Sequence, residues 1–146
     1  MINSQFFKSE IIEKKKSAYI AFIASWCTPS MMEKQIFEAI AKEYENKDLI
    51  IDVIDVDQEP ELAMEYKAHT LPTIATFDNG EHIDNFYVYV NNEDLKDSID
   101  SYLKDKAKME AEAASNETKI NKKTIILITI VILILITLII INYQRF

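Results

Sequence analysis

The feature that most limits how this chain can fold is an apolar, uncharged stretch near its end, residues 124–141. These 18 residues include neither Gly nor Pro. As a helix rising about 1.5 Å per residue they cover roughly 27 Å, close to the hydrocarbon thickness of a bilayer. A buried core helix is the alternative, but it would need protein on every side. We therefore predict a transmembrane helix over residues 124–141, preceded by one compact domain of about 100 residues.

Basic residues beside this stretch predict its orientation. Lys119, Lys122 and Lys123 precede it, whereas only Arg145 follows it. Lysines next to a span favour the cytoplasmic side. We therefore expect a single-pass membrane protein with its soluble domain on the cytoplasmic side and residues 142–146 as a short extracytoplasmic tail.

A second apolar run, residues 17–27, follows three lysines in the manner of an export signal. Glu10 and Glu13 precede those lysines, the run is barely ten residues long, and it lacks a small-x-small cleavage site. The bulky Trp26 also disfavours lipid attachment at Cys27. We therefore interpret the run as part of the folded domain.

The charge distribution disfavours nucleic-acid binding. All 24 Asp and Glu residues precede Lys119, whereas four of the 16 Lys and Arg residues follow Thr118. The domain is therefore acidic and should repel phosphate backbones, while the lysines beside the span suit an anionic membrane surface.

Cys27 is the only cysteine. One cysteine cannot form an intramolecular disulfide or a thiolate metal cluster, which agrees with a reducing compartment. His69 and His82 are too isolated to suggest a metal site. We predict neither a metal nor a cofactor.

Hydrophobic periodicity predicts alternating helices and strands. Met32, Ile36, Ile40 and Tyr44 recur every four residues, which predicts a helix directly after Pro29. Asn79-Gly80 predicts a tight hairpin. The predicted order is helix (6–16), strand (17–26), the helix after Pro29, strand (49–57), helix (58–67), two strands (71–77 and 81–90) and helix (93–103), then an Ala-rich, charged linker with its lysine collar (104–123).

This order and its motifs resemble the thioredoxin family over about residues 6–103. The matching features are "F.ASWC.P" from Phe22 to Pro29, "DVDQEPELAMEYKAHTLPT" leading to Pro72, the "F.NG" hairpin ending at Gly80, and the final amphipathic helix. The resemblance implies a thioredoxin-like α/β domain over residues 1–103, with a central mixed sheet flanked by helices. Its first strand should be reduced or missing, because only five residues precede Phe6.

The resemblance also implies a substrate site. In the family, the counterpart of Pro72 is a cis proline that faces the cysteine and shapes the groove for extended substrate backbone. Cys27 is then the nucleophile, at a helix N-terminus where unpaired amides favour the thiolate. Ser30 lies on the same helix face, and its hydroxyl could hydrogen-bond the sulfur. The residues lining the groove would be Trp26, Thr28, Pro29, Thr70, Leu71 and Pro72.

Several positions depart from the family pattern. Ser30 replaces the second cysteine, so the motif cannot cycle as a dithiol and a mixed disulfide would need another thiol to release it. The family's buried acid aligns with Ala21 and its partner lysine with Val53. Met31 replaces a basic residue. These changes argue against ordinary disulfide reductase activity.

Two function classes remain open, and Cys27 separates them. The first is a membrane-anchored thioredoxin-like protein that uses Cys27 for thiol–disulfide exchange, or mixed-disulfide formation, with protein clients, a low-molecular-weight thiol being a candidate resolving agent. The second is a non-catalytic binding or accessory module that holds an extended segment beside Pro72. In the second, Cys27 is a small buried hydrophobe, and replacing it by Ser should change little.

Overall fold

The computed structural model of this chain describes residues 1–87 and 91–143, and for residues 117–121 and 138–143 it describes the backbone alone. The chain divides into two compact units, Met1–Ser98 and Ile99–Phe146. The elements in chain order are α1 (Ser4–Phe6), the π-helix π1 (Phe7–Glu13), β1 (Ala18–Ile23), α2 (Thr28–Glu43), β2 (Ile50–Asp55), α3 (Pro60–Glu65), β3 (Thr73–Asp78), β4 (Glu81–Phe86) and α4 (Asn92–Tyr143).

The strands form one mixed sheet in the order β2-β1-β3-β4. β1 is parallel to β2 and antiparallel to β3, and β3 is antiparallel to β4. α2 makes the crossover that a parallel strand pair requires. The expected α/β fold with a mixed sheet and flanking helices is confirmed.

The first strand of the family is reduced, as expected. In the described part of the chain no strand precedes β1. The Ile2 amide still donates a hydrogen bond to the Val53 carbonyl oxygen at 3.0 Å. One backbone hydrogen bond on the outer edge of β2 therefore stands where a strand would pair.

The sheet buries side chains on both faces. Ile20 and Phe22 of β1 belong to a core cluster that includes Phe7, Ile11 and Phe77 and draws on no residue of α2. Because successive strand residues point to opposite faces, Tyr19, Ala21 and Ile23 face the other side, where α2 packs against β1 and β2. The Cys27 helix therefore covers the face that carries Ala21.

The buried face of α2 differs from the predicted one. We expected Met32 in the apolar stripe, but it is 51% exposed. The buried residues of α2 are Ser30, Glu33, Phe37 and Ile40. A strict four-residue row drifts around a helix that has 3.6 residues per turn, whereas alternating steps of three and four stay in line with the sheet.

The predicted first helix is present, but most of it is π-helical. Phe7 and Ile11 are buried, whereas Phe6 is 43% exposed. Adjacent residues of a helix point in different directions, so Phe6 and Phe7 cannot both face the core. The i→i+5 bonds of a π-helix still keep residues four apart nearly in line.

The predicted Asn79-Gly80 hairpin is confirmed. Both residues have positive φ, 50° at Asn79 and 78° at Gly80. Two successive positive φ values match the twist of flanking antiparallel strands. The Gly80 amide also donates to the Lys16 carbonyl oxygen at 3.0 Å, which ties the turn to the loop before β1.

The final helix is longer than the periodicity indicated. α4 continues from Asn92 to Tyr143, through the predicted linker 104–123. At its beginning the Asp94 amide donates to Asn91 Oδ1 at 2.9 Å, which satisfies one of the first free amides of the helix. The linker is therefore helical.

Among the described residues, no helix is both long enough and apolar enough to cross a membrane. Three predicted segments lie partly outside what the structure describes. For the end of the predicted span, residues 138–141, and for the predicted tail, residues 142–146, the structure describes no side chains. Residues 88–90 of the predicted strand 81–90 also lie outside it.

Candidate functional site

The loop between β1 and α2 places Cys27 at the N-cap of α2. Its amide donates to the Ala24 carbonyl oxygen, and its own carbonyl oxygen accepts from the Met31 amide, both at 3.1 Å. Its backbone is extended (φ −100°, ψ 107°), and Thr28 and Pro29 form the first helical turn. Proline is well suited to that turn, where an amide would lack a helical partner. The helix N-terminus is therefore formed as predicted.

Cys27 meets the loop before β3. The Leu71–Pro72 peptide bond is cis. The Cys27 thiol donates a weak hydrogen bond to the Leu71 carbonyl oxygen, with 3.7 Å between sulfur and oxygen. Pro72 is buried, Leu71 is half-buried and Thr70 is exposed. The fold thus brings the cysteine to the backbone that should line the groove, across 44 residues of sequence.

A hydrogen bond within this loop fixes its shape. The hydroxyl of the buried Thr73 donates to the Thr70 carbonyl oxygen at 2.6 Å. Because that bond spans one tight turn, Leu71 and Pro72 are held between two fixed points. Thr70 is exposed and Leu71 half-buried in the loop beside the sulfur.

Trp26 forms the exposed rim of the site. Its side chain is 70% exposed, and its indole Nε1 donates to Asp57 Oδ2 at 2.8 Å. The sequence reading placed Trp26 at the site but missed Asp57, which follows β2. Strand topology could have predicted that Asp57 lies near Trp26. Because β1 and β2 are parallel, the segments that follow them lie at the same edge of the sheet.

Ser30 lies on the protein side of the site rather than facing solvent. It is fully buried, and among the described residues its hydroxyl oxygen has no hydrogen-bond partner. The expected Ser30–sulfur hydrogen bond is therefore not formed. The half-exposed Cys27 thiol donates to the Leu71 carbonyl oxygen instead. Ser30 lies about one turn further along α2, where the helix faces the core.

Glu33 is a buried carboxyl group that the sequence reading missed. It lies one turn after Ser30 on the inward face of α2 and is 0% exposed. Glutamate is rarely buried to this extent in proteins. Its burial could have been predicted from the spacing of three and four residues that joins Ser30, Glu33, Phe37 and Ile40. The four-residue repeat through Met32 indicated a different buried face.

The end of α2 next to the sulfur carries no acidic side chain. The first turn of α2 contains no acidic residue, and its unpaired amides and the positive end of the helix dipole lie at the same end of the helix as Cys27. Ala21 and Val53, where the family carries an acid and a lysine, pair directly across β1 and β2. Neither supplies a charge.

No metal site is evident in the part of the chain that the structure describes, where no group of three or more His, Cys, Asp or Glu could hold an ion. The His82 ring packs edge-on against Tyr66 at 5.4 Å. His82 Nε2 lies 2.9 Å from Asn85 Oδ1. This histidine therefore has a packing role.

Comparisons with known proteins cover the same region. The family model described as Thioredoxin matches residues 1–101. Thioredoxin of Buchnera aphidicola subsp. Baizongia pistaciae is 38% identical over 98 residues, 67% of this chain and 89% of that protein. Thioredoxin of Porphyra purpurea is 32% identical over 97 residues, 66% of this chain and 90% of that protein. The M-type chloroplastic thioredoxin of Spinacia oleracea is 29% identical over 102 residues, 70% and 56% of the two chains.

Proposed function

This chain belongs to the thioredoxin family, and from that premise we propose that it is a membrane-anchored monothiol protein that exchanges disulfides with protein clients through Cys27. The observation that carries the proposal is the position of the Cys27 sulfur. It lies at the N-cap of α2, 3.7 Å from the Leu71 carbonyl oxygen and next to cis-Pro72. The helix end supports the thiolate, and the adjacent backbone supports docking of an extended client strand.

The exchange step follows from this geometry. The Cys27 thiolate attacks one sulfur of a client disulfide, so a bond forms between the two sulfurs and the client S–S bond breaks. Its electron pair leaves with the second client sulfur, which takes up a proton as a thiol. No separate oxidant is needed, because the client disulfide is reduced as the mixed disulfide forms.

Ser30 determines how long the mixed disulfide lasts. A hydroxyl group cannot attack a disulfide as the second cysteine of a dithiol motif would. Release must come from another thiol, either the freed client thiol or a low-molecular-weight thiol such as glutathione. The protein is therefore suited to forming covalent complexes rather than to rapid reduction.

The anchor is part of the proposal. The described large side chains from Ile125 to Ile136 of α4 are apolar and about half exposed or more. The Thr129 and Thr137 hydroxyls donate to carbonyl oxygens of their own helix, to Ile126 and to Ile134, each at 2.8 Å. Such bonds leave these hydroxyls without need of water, as a lipid environment requires.

Anchoring would place the domain beside a particular set of clients. Lys119, Lys122 and Lys123 precede the span and favour a domain on the cytoplasmic side. A tether raises the effective concentration of Cys27 near clients at the same membrane surface. Proteins with disulfides or reactive thiols at that surface are the proposed partners.

Client capture by the full chain tests the proposal. We would express the full-length protein and the Cys27→Ser variant, block free thiols with acid and alkylating agent, and separate covalent complexes on non-reducing gels. The wild-type chain should form complexes that a reductant releases, and the Cys27→Ser variant should lose them at least tenfold. Glu38→Gln, at an exposed position of α2 outside the groove, is the matched control and should retain them.

The two function classes give different results. If the Cys27→Ser variant binds the same proteins non-covalently, and as much of them as the wild-type chain, the exchange proposal is wrong. That result would identify a binding module that uses the backbone beside Pro72.

A further inference from the structure

A groove lies between π1 and α3, and none of the residues that line it belongs to the Cys27 site. We call it the π1–α3 groove. Its volume is about 550 Å³, within the range of about 300–1,000 Å³ that is usual for binding pockets. Its floor is part of the core cluster that packs on the sheet face opposite α2. The groove is therefore a second concave surface of the domain, separate from the thiol site.

The floor of the π1–α3 groove is apolar and held in place by packing. Phe7 and Leu62 are buried, and Ile12 and Tyr66 are half-buried. The rings of Phe7 and Tyr66 pack with their centroids 5.3 Å apart. Apolar side chains of a bound partner would therefore meet a surface that is already formed, which lowers the entropic cost of binding.

The rim of the π1–α3 groove carries three carboxylates and one amine. Glu59, Glu61 and Glu65 lie on the α3 side, and Lys8 lies on π1. None of these four side chains forms an ion pair within the part of the chain that the structure describes. The rim therefore has an excess of negative charge that the described residues leave without a counter-charge.

Glu65 occupies an unfavourable position for a carboxylate. It is the last residue of α3, where the negative end of the helix dipole disfavours negative charge. Glu61 lies four residues before it, and like charges at that spacing destabilise a helix. The dipole explains an acidic residue in the first turn of α3, but it does not explain Glu65. A cation bound between Glu61 and Glu65 would relieve both effects, which favours a positively charged occupant.

The walls of the groove suit a helix rather than an extended strand. The lining residues lie in α1, π1, α3 and the turn before α3, and none of them lies in a strand. Two helical walls offer ridges between which a third helix can pack. The six residues of α3 extend about 9 Å along its axis, nearly two helical turns. One wall is also a π-helix of seven residues, a rare element that is frequent at functional sites.

We propose that the π1–α3 groove binds a basic amphipathic helix of a partner protein. Apolar side chains of that helix pack on Phe7 and Leu62, and its Lys or Arg side chains pair with Glu61 and Glu65. The binding is noncovalent and uses no group of the Cys27 site, so it goes beyond disulfide exchange. The negative rim disfavours acidic partners.

A synthetic peptide tests the groove in the full-length protein, held in a mild uncharged detergent. The peptide has about 15 residues, the length at which an isolated helix becomes stable in water, with Leu on one face and Lys on the other. The methyl NMR signals of Ile12 and Leu62 report on the groove itself, even where peptide adsorbs to detergent. These signals should shift to saturation with the Leu–Lys peptide. They should stay in place when Glu replaces its Lys residues, or when Ala replaces its Leu residues.

Paired substitutions test the role of the rim. Glu61→Gln combined with Glu65→Gln should weaken binding of the Leu–Lys peptide about fivefold, as expected for the loss of two exposed ion pairs. Glu38→Gln combined with Glu45→Gln removes the same charge on the α2 side of the sheet, where both residues are exposed. This control should change the affinity by less than about twofold. Equal weakening by the two pairs would show a general attraction to an acidic domain and would overturn the proposal.

Reversal of the rim charge gives a gain of binding that a merely damaged groove could not produce. Glu61→Lys combined with Glu65→Lys should bind the Leu–Glu peptide and reject the Leu–Lys peptide. Salt provides a test on the unmutated chain, where about 0.5 M NaCl should weaken the Leu–Lys peptide severalfold because it screens exposed charges. Absence of any shift at Ile12 and Leu62, or equal shifts with the Leu–Lys and Leu–Glu peptides, would disprove the proposal.

The Cys27→Ser variant keeps this test separate from the exchange function. It should bind the Leu–Lys peptide as tightly as the wild-type chain, because the groove contains no group of the thiol site. Loss of peptide binding in that variant would contradict a separate site. Failure of client capture with peptide binding intact would disprove the exchange function alone.

Discussion

At the scale of single residues, Cys27 and Ser30 are three positions apart and have different surroundings. Cys27 is half-exposed and bonded to the Leu71 carbonyl oxygen, whereas Ser30 is fully buried. A second thiol at position 30 would thus lie on the protein side of the first. The change from cysteine to serine there removes the group that would resolve a mixed disulfide while leaving the entrance to the site unaltered.

The backbone of Gly80 is tightly constrained. Its φ is +78°, and a Cβ there would lie 2.8 Å from the Ile12 carbonyl oxygen and 2.9 Å from that of Ile11. We expect Gly80→Ala to lower the free energy of unfolding by about 1–3 kcal/mol, from backbone strain and contact with π1. Urea unfolding of the full chain in mild detergent measures this.

The neighbouring turn position provides the control. Asn79 also has positive φ, 50°, and glycine adopts that conformation without strain. Asn79→Gly should therefore change the free energy of unfolding by less than about 1 kcal/mol. Equal effects of the two substitutions would contradict the strain argument.

At the scale of elements, π1, α3 and the β3–β4 hairpin are joined by aromatic rings. Tyr66, at the end of α3, packs at 5.3 Å from the Phe7 ring, 5.1 Å from Phe77 and 5.4 Å from His82. The Asn85 side-chain amide also donates to the Tyr66 carbonyl oxygen at 2.8 Å. One residue therefore connects three elements on the face opposite α2.

Tyr66 should make stability depend on alkaline pH. Burial, and then the neighbouring Glu65 carboxylate, raise the pKa of Tyr66 to about 12. In the unfolded chain a tyrosine has a pKa of about 10. The fold therefore favours the neutral phenol, and this contribution to stability is complete below about pH 10 and is lost as pH rises toward 12.

The expected outcome is a fall in the urea midpoint between about pH 10 and pH 12. Tyr66→Phe cannot ionise and should show a smaller fall over that range. Burial also raises the pKa of Tyr19, so part of the fall should remain in the variant. An equal fall in both proteins would exclude Tyr66 as its source.

At the scale of the whole molecule, a domain with a thiol site and a long helix with an apolar end belong to one chain. The helix α4 runs without interruption from Asn92 to Tyr143. Its apolar part should be covered by a membrane or by another protein. A contiguous exposed apolar surface of this extent marks an interaction with one of them.

Charges placed in the apolar stretch test the anchor. Arginine at the centre of a span costs about 2.5–3.5 kcal/mol on insertion scales. Ile130→Arg combined with Leu133→Arg should therefore transfer most of the protein from the membrane fraction to the soluble fraction after carbonate extraction. Ala111→Arg combined with Ala113→Arg adds the same charge in the predicted linker and should leave the protein in membranes. Retention of the first variant would argue against a membrane anchor.

Much of the fold follows from local sequence signals. The buried run before Cys27, the helix after Pro29, the Asn79-Gly80 turn and the "TLPT" segment each occupy the predicted place. Periodicity and turn chemistry depend on residues close together in the chain, so a sequence carries them directly. The site around Cys27 and Pro72 was predicted from the resemblance to the thioredoxin family instead.

The tertiary structure alone decided which groups meet. The contact of Cys27 with the Leu71 carbonyl oxygen, the bond from Trp26 to Asp57 and the burial of Glu33 depend on strand order and on the rotation of α2 about its axis. A shift of one residue in the stripe that faces the sheet exchanges Met32 for Glu33. Sequence therefore determined the elements and the place of Cys27 at the start of α2, whereas packing between distant segments determined the surroundings of its thiol.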